Sequence, residues 1–312
     1  MGSLINGQWS QQDPRRVNKK GEYVRPESPF RDFIGADNIR FPAESGRYHL
    51  FVNAGCPWAY RTILYRSIKG LADIISLSYT LPAVGKEGWT FGDTPEPLLS
   101  AQHIHDVYSA ADGSFTGRAT VPVLWDKQLK TIVNNESAEI IRMLNSAFHA
   151  FPGVTSVDYY PSSLAGEIDT LNAEIYQHVN NGVYRCGFAQ SQSAYETAFD
   201  NLFATLDKLD LRLSRQRFLC GDTLDSITEA DWRLFATLVR FDTAYHGQFR
   251  CNRNRLVDYE YLWPYTRDLF QQPNVAETVD VDAIKGIYYG GRAPFIIPKG
   301  PDIDFLEPHG RG

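Results

Sequence analysis

The strongest constraint on this chain lies between Arg47 and Gly70. In Arg47-Tyr-His-Leu-Phe-Val52, Tyr48, Leu50 and Val52 alternate with the other three residues, the period of a strand with one apolar face. Asn53-Ala-Gly-Cys-Pro-Trp58 then turns the chain into Ala59 to Ile68, a run of good helix formers closed by Gly70. Pro57 suits the first helical position, so Cys56 falls at a helix N-terminus. Unpaired backbone N–H groups and the positive end of the helix dipole favour thiolate over thiol there. Cys56 is therefore the candidate nucleophile. Three positions on stands Ala59 and not a second cysteine, so an oxidised intermediate at Cys56 must be a mixed disulfide with a small thiol.

The rest of the N-terminal half extends this pattern. Ile74 to Tyr79 reads as a second strand, and Thr120 to Trp125 with Lys130 to Val133 as a hairpin. Ser137 to Phe148, with Ile140, Ile141, Leu144 and Phe148 on one stripe, reads as the helix that follows. This is the element order of a thioredoxin-like α/β unit, with a long insertion near 80 to 119 that must hold a middle helix. From about 164 the periodicity turns helical: Ile168, Leu171, Ile175 and Val179 repeat at helical spacing, as do Tyr195, Phe199, Leu202, Phe203, Leu206 and Leu209. Thr228 and Asp231 form a capping-box pattern ahead of Trp232, Phe235, Leu238 and Val239. The expected organisation is an irregular extension over 1–45, a thioredoxin-like domain over 46–150, and an all-helical domain over 164–312 that ends in an irregular tail.

Composition excludes several functions. Lys and Arg total 31 against 37 Asp and Glu, and no basic run suggests a surface that tracks phosphates, so nucleic acid is not an expected partner. No stretch approaches the ~18 consecutive apolar residues of a membrane span, and the N-terminus carries no signal-peptide core, so a cytoplasmic protein is expected. Cys56, Cys186, Cys220 and Cys251 are too sparse for a disulfide scaffold, and the last three read as packing thiols. His103, His105 and His246 lack metal-ligand spacing, and no Gly-rich phosphate loop is present, so neither a metal nor a nucleotide is expected.

Two further stretches carry chemistry. In a thioredoxin-like unit the Val121-Pro122 bond can be cis, which turns the Val121 backbone outward to pair with an extended thiol peptide; otherwise the proline marks a strand edge. Glu136-Ser137 opens a helix. Ser137 suits an N-cap there, and with the N-terminal amides it could also take a ligand carboxylate while Glu136 takes an ammonium.

Taken together, Gly55-Cys-Pro-Trp-Ala59 with Arg61, Gly88-Trp-x-Phe91, Gly117 to Asp126, Asn134-Asn-Glu-Ser137 and Thr228 to Phe235 continuing into Val239-Arg-Phe-Asp242 resemble the glutathione transferases. More narrowly they resemble the Xi class, the S-glutathionyl-hydroquinone reductases, over about residues 20 to 295. The resemblance implies a thioredoxin-like N-terminal domain followed by a helical-bundle C-terminal domain, glutathione as co-substrate, glutathionylated quinols as substrates, and a homodimer. It implies Cys56 as nucleophile, with Trp89 and Arg118 along glutathione, Val121 on its cysteinyl backbone, and Glu136 with Ser137 at its γ-glutamyl end. Tyr184, Tyr288 and Tyr289 resemble the phenols that line the aromatic-substrate pocket, Tyr184 and Tyr288 acting in catalysis. Lys285-Gly-Ile-Tyr-Tyr-Gly-Gly-Arg292 departs from similar sequences at Ile287, Gly290 and Gly291, where they are more polar, so a wider or differently tuned pocket is expected. The alternatives are an omega-like thiol transferase or dehydroascorbate reductase, which would use the same cysteine, and a scaffold without catalysis, for which an activated thiol has no purpose.

Overall fold

The computed structural model describes residues 2–12, 17–291 and 296–312; Pro14 and Arg292, which belong to stretches discussed above, lie outside them. The chain divides into two compact units: Met1–Arg15, Glu27–Ser156 and Thr278–Ile297 form the first, and Arg16–Pro26, Val157–Glu277 and Pro298–Gly312 the second.

Residues 1–45, expected to be irregular, open with a two-stranded antiparallel hairpin, β1 (Ser3–Ile5) and β2 (Gln8–Ser10). Its turn is Asn6-Gly7, with φ of 48° and 74°. Both central residues of a two-residue hairpin turn need positive φ, which Asn and Gly adopt at least cost.

The first unit is built on a four-stranded mixed sheet in the order β4-β3-β5-β6. β3 (Tyr48–Val52) runs parallel to β4 (Ser76–Tyr79) and antiparallel to β5 (Val123–Asp126), which pairs antiparallel with β6 (Thr131–Asn134). This is the expected thioredoxin-like order. One detail differs from the sequence pattern, because β3 is buried on both faces rather than one. His49 sits between the Ser76 and Ser78 hydroxyls at 2.7 and 3.0 Å, and Phe51 meets Phe91 edge-on, so the 80–119 insertion roofs the second face. Burial pushes the His49 pKa down to about 4, which keeps the ring neutral in the sheet.

α1 (Pro57–Ile68) begins with Pro57, as expected, and packs on α3 (Ser137–Ser146). The insertion contains α2 (Ile104–Ala111), the middle helix its length required.

The second unit is helical: α4 (Ala165–Ile175), α5 (Gly182–Phe188), α6 (Gln192–Leu213), α7 (Glu229–Leu238), the single turn α8 (His246–Gln248) and α9 (Leu262–Phe270). Two π-helical turns, Tyr176–Asn180 and Phe241–Tyr245, interrupt the run. At α7 the capping box forms as its spacing implies: the Thr228 side chain accepts from the N3 backbone, and Asp231 accepts from the Thr228 N–H at 2.8 Å. Residues 296–312 have no regular structure but are anchored by Phe305 against Trp263 and Phe270.

The last helix, α10 (Val281–Tyr289), belongs to the first unit, although it falls within the 164–312 range expected to form the helical domain. The cause is a close approach to Gly55: a Cβ there would lie 2.3 Å from the Ala283 carbonyl oxygen and 2.7 Å from Ile287 Cγ2. Only glycine lets the helix come this near.

Candidate active site

Cys56 is the N-cap residue of α1 and is 6 % exposed. Its position is fixed by Asn53, whose side-chain oxygen accepts from the N–H groups of Gly55 at 2.9 Å and Cys56 at 3.1 Å. The amide end of Asn53 donates to Thr80 Oγ1 and to the Leu81 carbonyl, which anchors this turn to the segment after β4. Asn53 was not singled out from sequence, though an Asn two residues before a glycine turn is a known signal for such side-chain-to-backbone bonding. The Cys56 side chain makes no capping bond to α1, and the first turn of this helix holds no acidic residue.

The Val121–Pro122 peptide bond is cis. The Val121 carbonyl oxygen lies 4.0 Å from Cys56 Sγ. Among the described residues the Val121 N–H has no hydrogen-bond partner, which leaves it available to a ligand backbone. β5 begins only at Val123, so Pro122 precedes the strand and removes no bond from the sheet.

The start of α3 differs from the expectation by one residue. Glu136, not Ser137, is the N-cap, and its carboxylate accepts from the Ala138 N–H at 3.2 Å and from the Ser28 hydroxyl at 3.0 Å. Ser137 is the first helical residue, 2 % exposed, and its hydroxyl accepts from the Arg61 guanidinium at 3.3 Å. Arg61, a buried cation in the middle of α1, also lies 4.9 Å over the Trp58 ring. It therefore links the helix that carries Cys56 to the start of α3.

Tyr108 makes a second link. Its buried hydroxyl donates to the Thr120 carbonyl at 3.0 Å and accepts from Asn135 Nδ2 at 2.9 Å, joining the residue before Val121 to the residue before Glu136. Burial pushes this phenol's pKa up, so it stays protonated and able to donate. Neither link was visible in the sequence, because the partners lie far apart along the chain.

Trp89 is buried and Arg118 half-buried. The Trp89 carbonyl accepts from the Ile104 N–H at 2.9 Å, at the start of α2. On α10, Tyr288 is buried and Tyr289 half-buried, with burial raising the pKa of Tyr289. Gly286, Gly290 and Gly291 meet the 82–84 segment, where a Cβ would fall 2.7 Å from Pro82, 3.4 Å from Ala83 and 3.1 Å from the Val84 carbonyl. The small residues at 290 and 291 thus serve a close helix–loop contact, and Ile287 fills the space beside Gly55.

Tyr184 lies in the second unit. It is half-buried in an aromatic group with Phe249 at 5.3 Å, Phe188 at 5.9 Å, Tyr245 at 6.1 Å and Tyr23 at 6.4 Å between ring centroids. Tyr23 comes from the N-terminal extension, a contribution the sequence pattern did not reveal.

None of the four cysteines forms a disulfide. Cys186 and Cys251 are fully buried, and burial raises the Cys251 pKa well above that of an ordinary thiol, with Cys186 adding to it. Burial also raises the half-buried Cys220 to about 11. Cys220 and Cys251 are therefore held as unreactive thiols.

Spacing argued against a metal role for His103 and His105, yet the structure brings them together with Asp106, their ligand atoms within 4.8 Å of one another. Two of the three already cap α2: the His103 ring accepts the N3 backbone N–H, and Asp106 accepts from the N–H groups of Gln102 and His103.

Residues 55–147 match the glutathione S-transferase N-terminal domain family, and residues 192–268 the glutathione S-transferase C-terminal domain family. The chain is similar to the glutathionyl-hydroquinone reductase PcpF of Sphingobium chlorophenolicum, 46 % identical over 96 % of each chain. It is also similar to the glutathionyl-hydroquinone reductase YqjG of Escherichia coli, 44 % identical over 100 % of this chain and 98 % of the relative. The glutathione-bound structure of YqjG superposes with a TM-score of 0.89, at 43 % identity over 99 % of both chains. A Xi-class transferase from Natrialba magadii gives a TM-score of 0.91, at 41 % identity over 100 % of this chain and 96 % of that one.

Proposed function

The chain belongs to the glutathione S-transferase family, and from that membership we propose that it is a glutathionyl-hydroquinone reductase working through a mixed disulfide on Cys56. The observation that carries this reading is Cys56 at the uncapped start of α1, 4.0 Å from the carbonyl oxygen of Val121 beside a cis proline. The place of Cys56 at the positive end of the α1 dipole favours its thiolate form.

The reaction has two halves. Cys56 thiolate attacks the sulfur of the glutathionyl-hydroquinone; an S–S bond forms, the sulfur–carbon bond breaks, and the ring carbon takes a proton to leave as hydroquinone. The thiolate of a second glutathione then attacks the mixed disulfide, releasing oxidised glutathione and restoring the Cys56 thiolate. An aromatic carbon is a poor leaving group unless the ring first adopts a ketone-like form, and tyrosine hydroxyls near the phenolic oxygens would stabilise that form. We assign this role to Tyr184 and Tyr288, and to Tyr289 a part in lining the aromatic substrate. The approach of α10 to Gly55 supports the assignment of Tyr288.

In the first half-reaction the glutathionyl group lies with its cysteinyl backbone on Val121, and Trp89 and Arg118 run alongside. The free Val121 N–H supports that pairing. Glu136 takes the γ-glutamyl ammonium, while Ser137 and the amides of α3 take its carboxylate. The dependence on reduced glutathione fits a reducing compartment, and we extend the reading to a cytoplasmic homodimer. Among the described residues no helix is long and apolar enough to cross a membrane.

Mass spectrometry tests the first half-reaction directly. Incubation with glutathionyl-menadiol and no free glutathione is expected to add one glutathionyl group to Cys56 and release menadiol. No adduct, or an adduct on Cys186, Cys220 or Cys251, would overturn the mechanism.

A further inference from the structure

We propose that the N-terminal hairpin is a positioning element for glutathione, with Trp9 and Leu4 holding the two loops that carry Trp89 and Arg118. The proposal rests on reading those two residues as glutathione contacts. Both lie in the stretch between β4 and β5, where α2 is the one helix among the described residues. Loops of this length need bracing from outside if their side chains are to meet a ligand in a fixed geometry.

The hairpin braces both loops. β1 pairs with the Arg118 loop through one antiparallel bridge: the Leu4 N–H donates to the Gly117 carbonyl at 2.8 Å, and the Gly117 N–H donates back to the Leu4 carbonyl at 3.0 Å. The Gly7 N–H donates to the Phe115 carbonyl at 2.9 Å, and the Asn6 N–H to Thr116 Oγ1 at 2.9 Å. Leu4 is 1 % exposed, so this pairing is sealed by an apolar side chain. Arg118 follows the last paired residue directly.

β2 braces the other loop through Trp9. Its ring covers Gly88, where a Cβ would lie 3.1 Å from Trp9 Cη2, and φ at Gly88 is +76°. The same ring stacks on His105 with centroids 4.5 Å apart and planes 18° from parallel, and His105 stacks in turn on His103 at 4.7 Å. Gln11 adds a bond from Nε2 to Glu87 Oε1 at 3.2 Å. Gly88 and His105 flank the two residues, Trp89 and Ile104, joined by the backbone bond that fixes Trp89. Trp9 therefore clamps that bond from both sides without needing to reach the ligand itself.

The test compares Trp9→Ala, Trp9→Phe and Trp89→Ala in steady-state turnover of glutathionyl-menadiol. Trp9→Ala is expected to raise KM by about tenfold while kcat stays within about twofold, and Trp9→Phe, which keeps a stacking ring, to bring KM back to within about twofold of the parent. The alkylation rate of Cys56 by iodoacetamide, which needs neither loop, should be unchanged. A raised KM in both Trp9→Ala and Trp89→Ala supports the proposal. A raised KM in Trp89→Ala with none in Trp9→Ala overturns the hairpin's role alone. No change in either overturns the reading of Trp89 and the proposal with it. A fall in kcat together with altered alkylation would show general loosening and also overturn it. If Trp9→Ala does not fold by circular dichroism, Trp9→Leu keeps apolar cover over Gly88 without the ring stack and is judged by the same outcomes.

Discussion

The starts of α1 and α7 are built to opposite ends. At α7 the exposed amides are consumed by the protein's own side chains: Thr228 and Asp231 cap each other, and Glu229 and Asp231 place two acids in the first turn. Asp231 is fully buried and accepts from the Leu219 N–H, the Thr228 N–H and hydroxyl, and the Tyr265 hydroxyl, all between 2.8 and 2.9 Å. At α1 there is no side-chain cap and no acid, and a sulfur occupies the N-cap position. Two helix starts in one chain therefore carry opposite charge patterns. One spends its first turn on bonds to its own side chains, and the other sets a sulfur at the positive end of its dipole.

The largest expected effect removes the sulfur. Cys56→Ser keeps the size and the hydrogen-bonded turn at Asn53 but replaces the nucleophile with a hydroxyl that is not ionised at neutral pH. Turnover of glutathionyl-menadiol should fall by about a thousandfold or more. The melting temperature should stay close to that of the parent, because no capping bond is lost. A large loss of stability would mean that α1 depends on the sulfur as α7 depends on Asp231.

The reverse substitution is Asp231→Ala. It strands buried donors from Leu219, Thr228 and Tyr265, and stability should fall by about 3 kcal/mol or more. Chemical denaturation measures that loss, and turnover per folded molecule should be retained. If Asp231→Ala instead abolished turnover in the folded fraction, the division between a structural and a chemical helix start would not hold.

Both helix starts were legible because their signals are local. Cys56-Pro57 and Thr228-x-x-Asp231 obey rules that span three or four residues, and the strand and helix periods around them are equally short-range. The cap of α3 was read one residue late, since serine is the commoner cap and nothing local shows that Ser137 is turned toward Arg61. The supports of the site were not legible for a different reason. Tyr108 acts on Thr120 and Asn135, and Trp9 on Gly88 and His105, through contacts that only the folded chain creates. Asn6-Gly7 is a two-residue hairpin signal, but arms of three residues show no alternation to draw attention to it. The place of α10 depended on a helix approaching Gly55, a residue that sequence alone marks only as part of a turn.

The start of α3 lies between these two extremes and allows the finest test of the comparison. Like α7 it carries an acid in its first turn, Glu139, and like α1 it is assigned to ligand binding. Glu139 accepts from Arg31 Nε at 2.6 Å and from Asn134 Nδ2 at 2.8 Å, and a second Arg31 nitrogen completes a forked pair. Burial acts to raise the Glu139 pKa, but the bonds from Arg31 and Asn134 outweigh it, and the net shift is downward from 4.5. A carboxylate whose folded pKa is depressed contributes stability above its unfolded value and loses it as pH falls through the folded one. Glu139→Gln keeps an acceptor and removes the charge, so at pH 7 it should cost about 1 kcal/mol, the scale of a partly exposed charged pair. The difference from the parent should shrink as pH drops below 4.5 and close once the folded Glu139 carboxylate is itself protonated, because both side chains are then neutral. It should also narrow at high salt, because Arg31 is nearly half exposed. A gap that stayed constant from neutral to acid pH would assign Glu139 a packing role, and α3 would then gain nothing from the acid that α1 lacks.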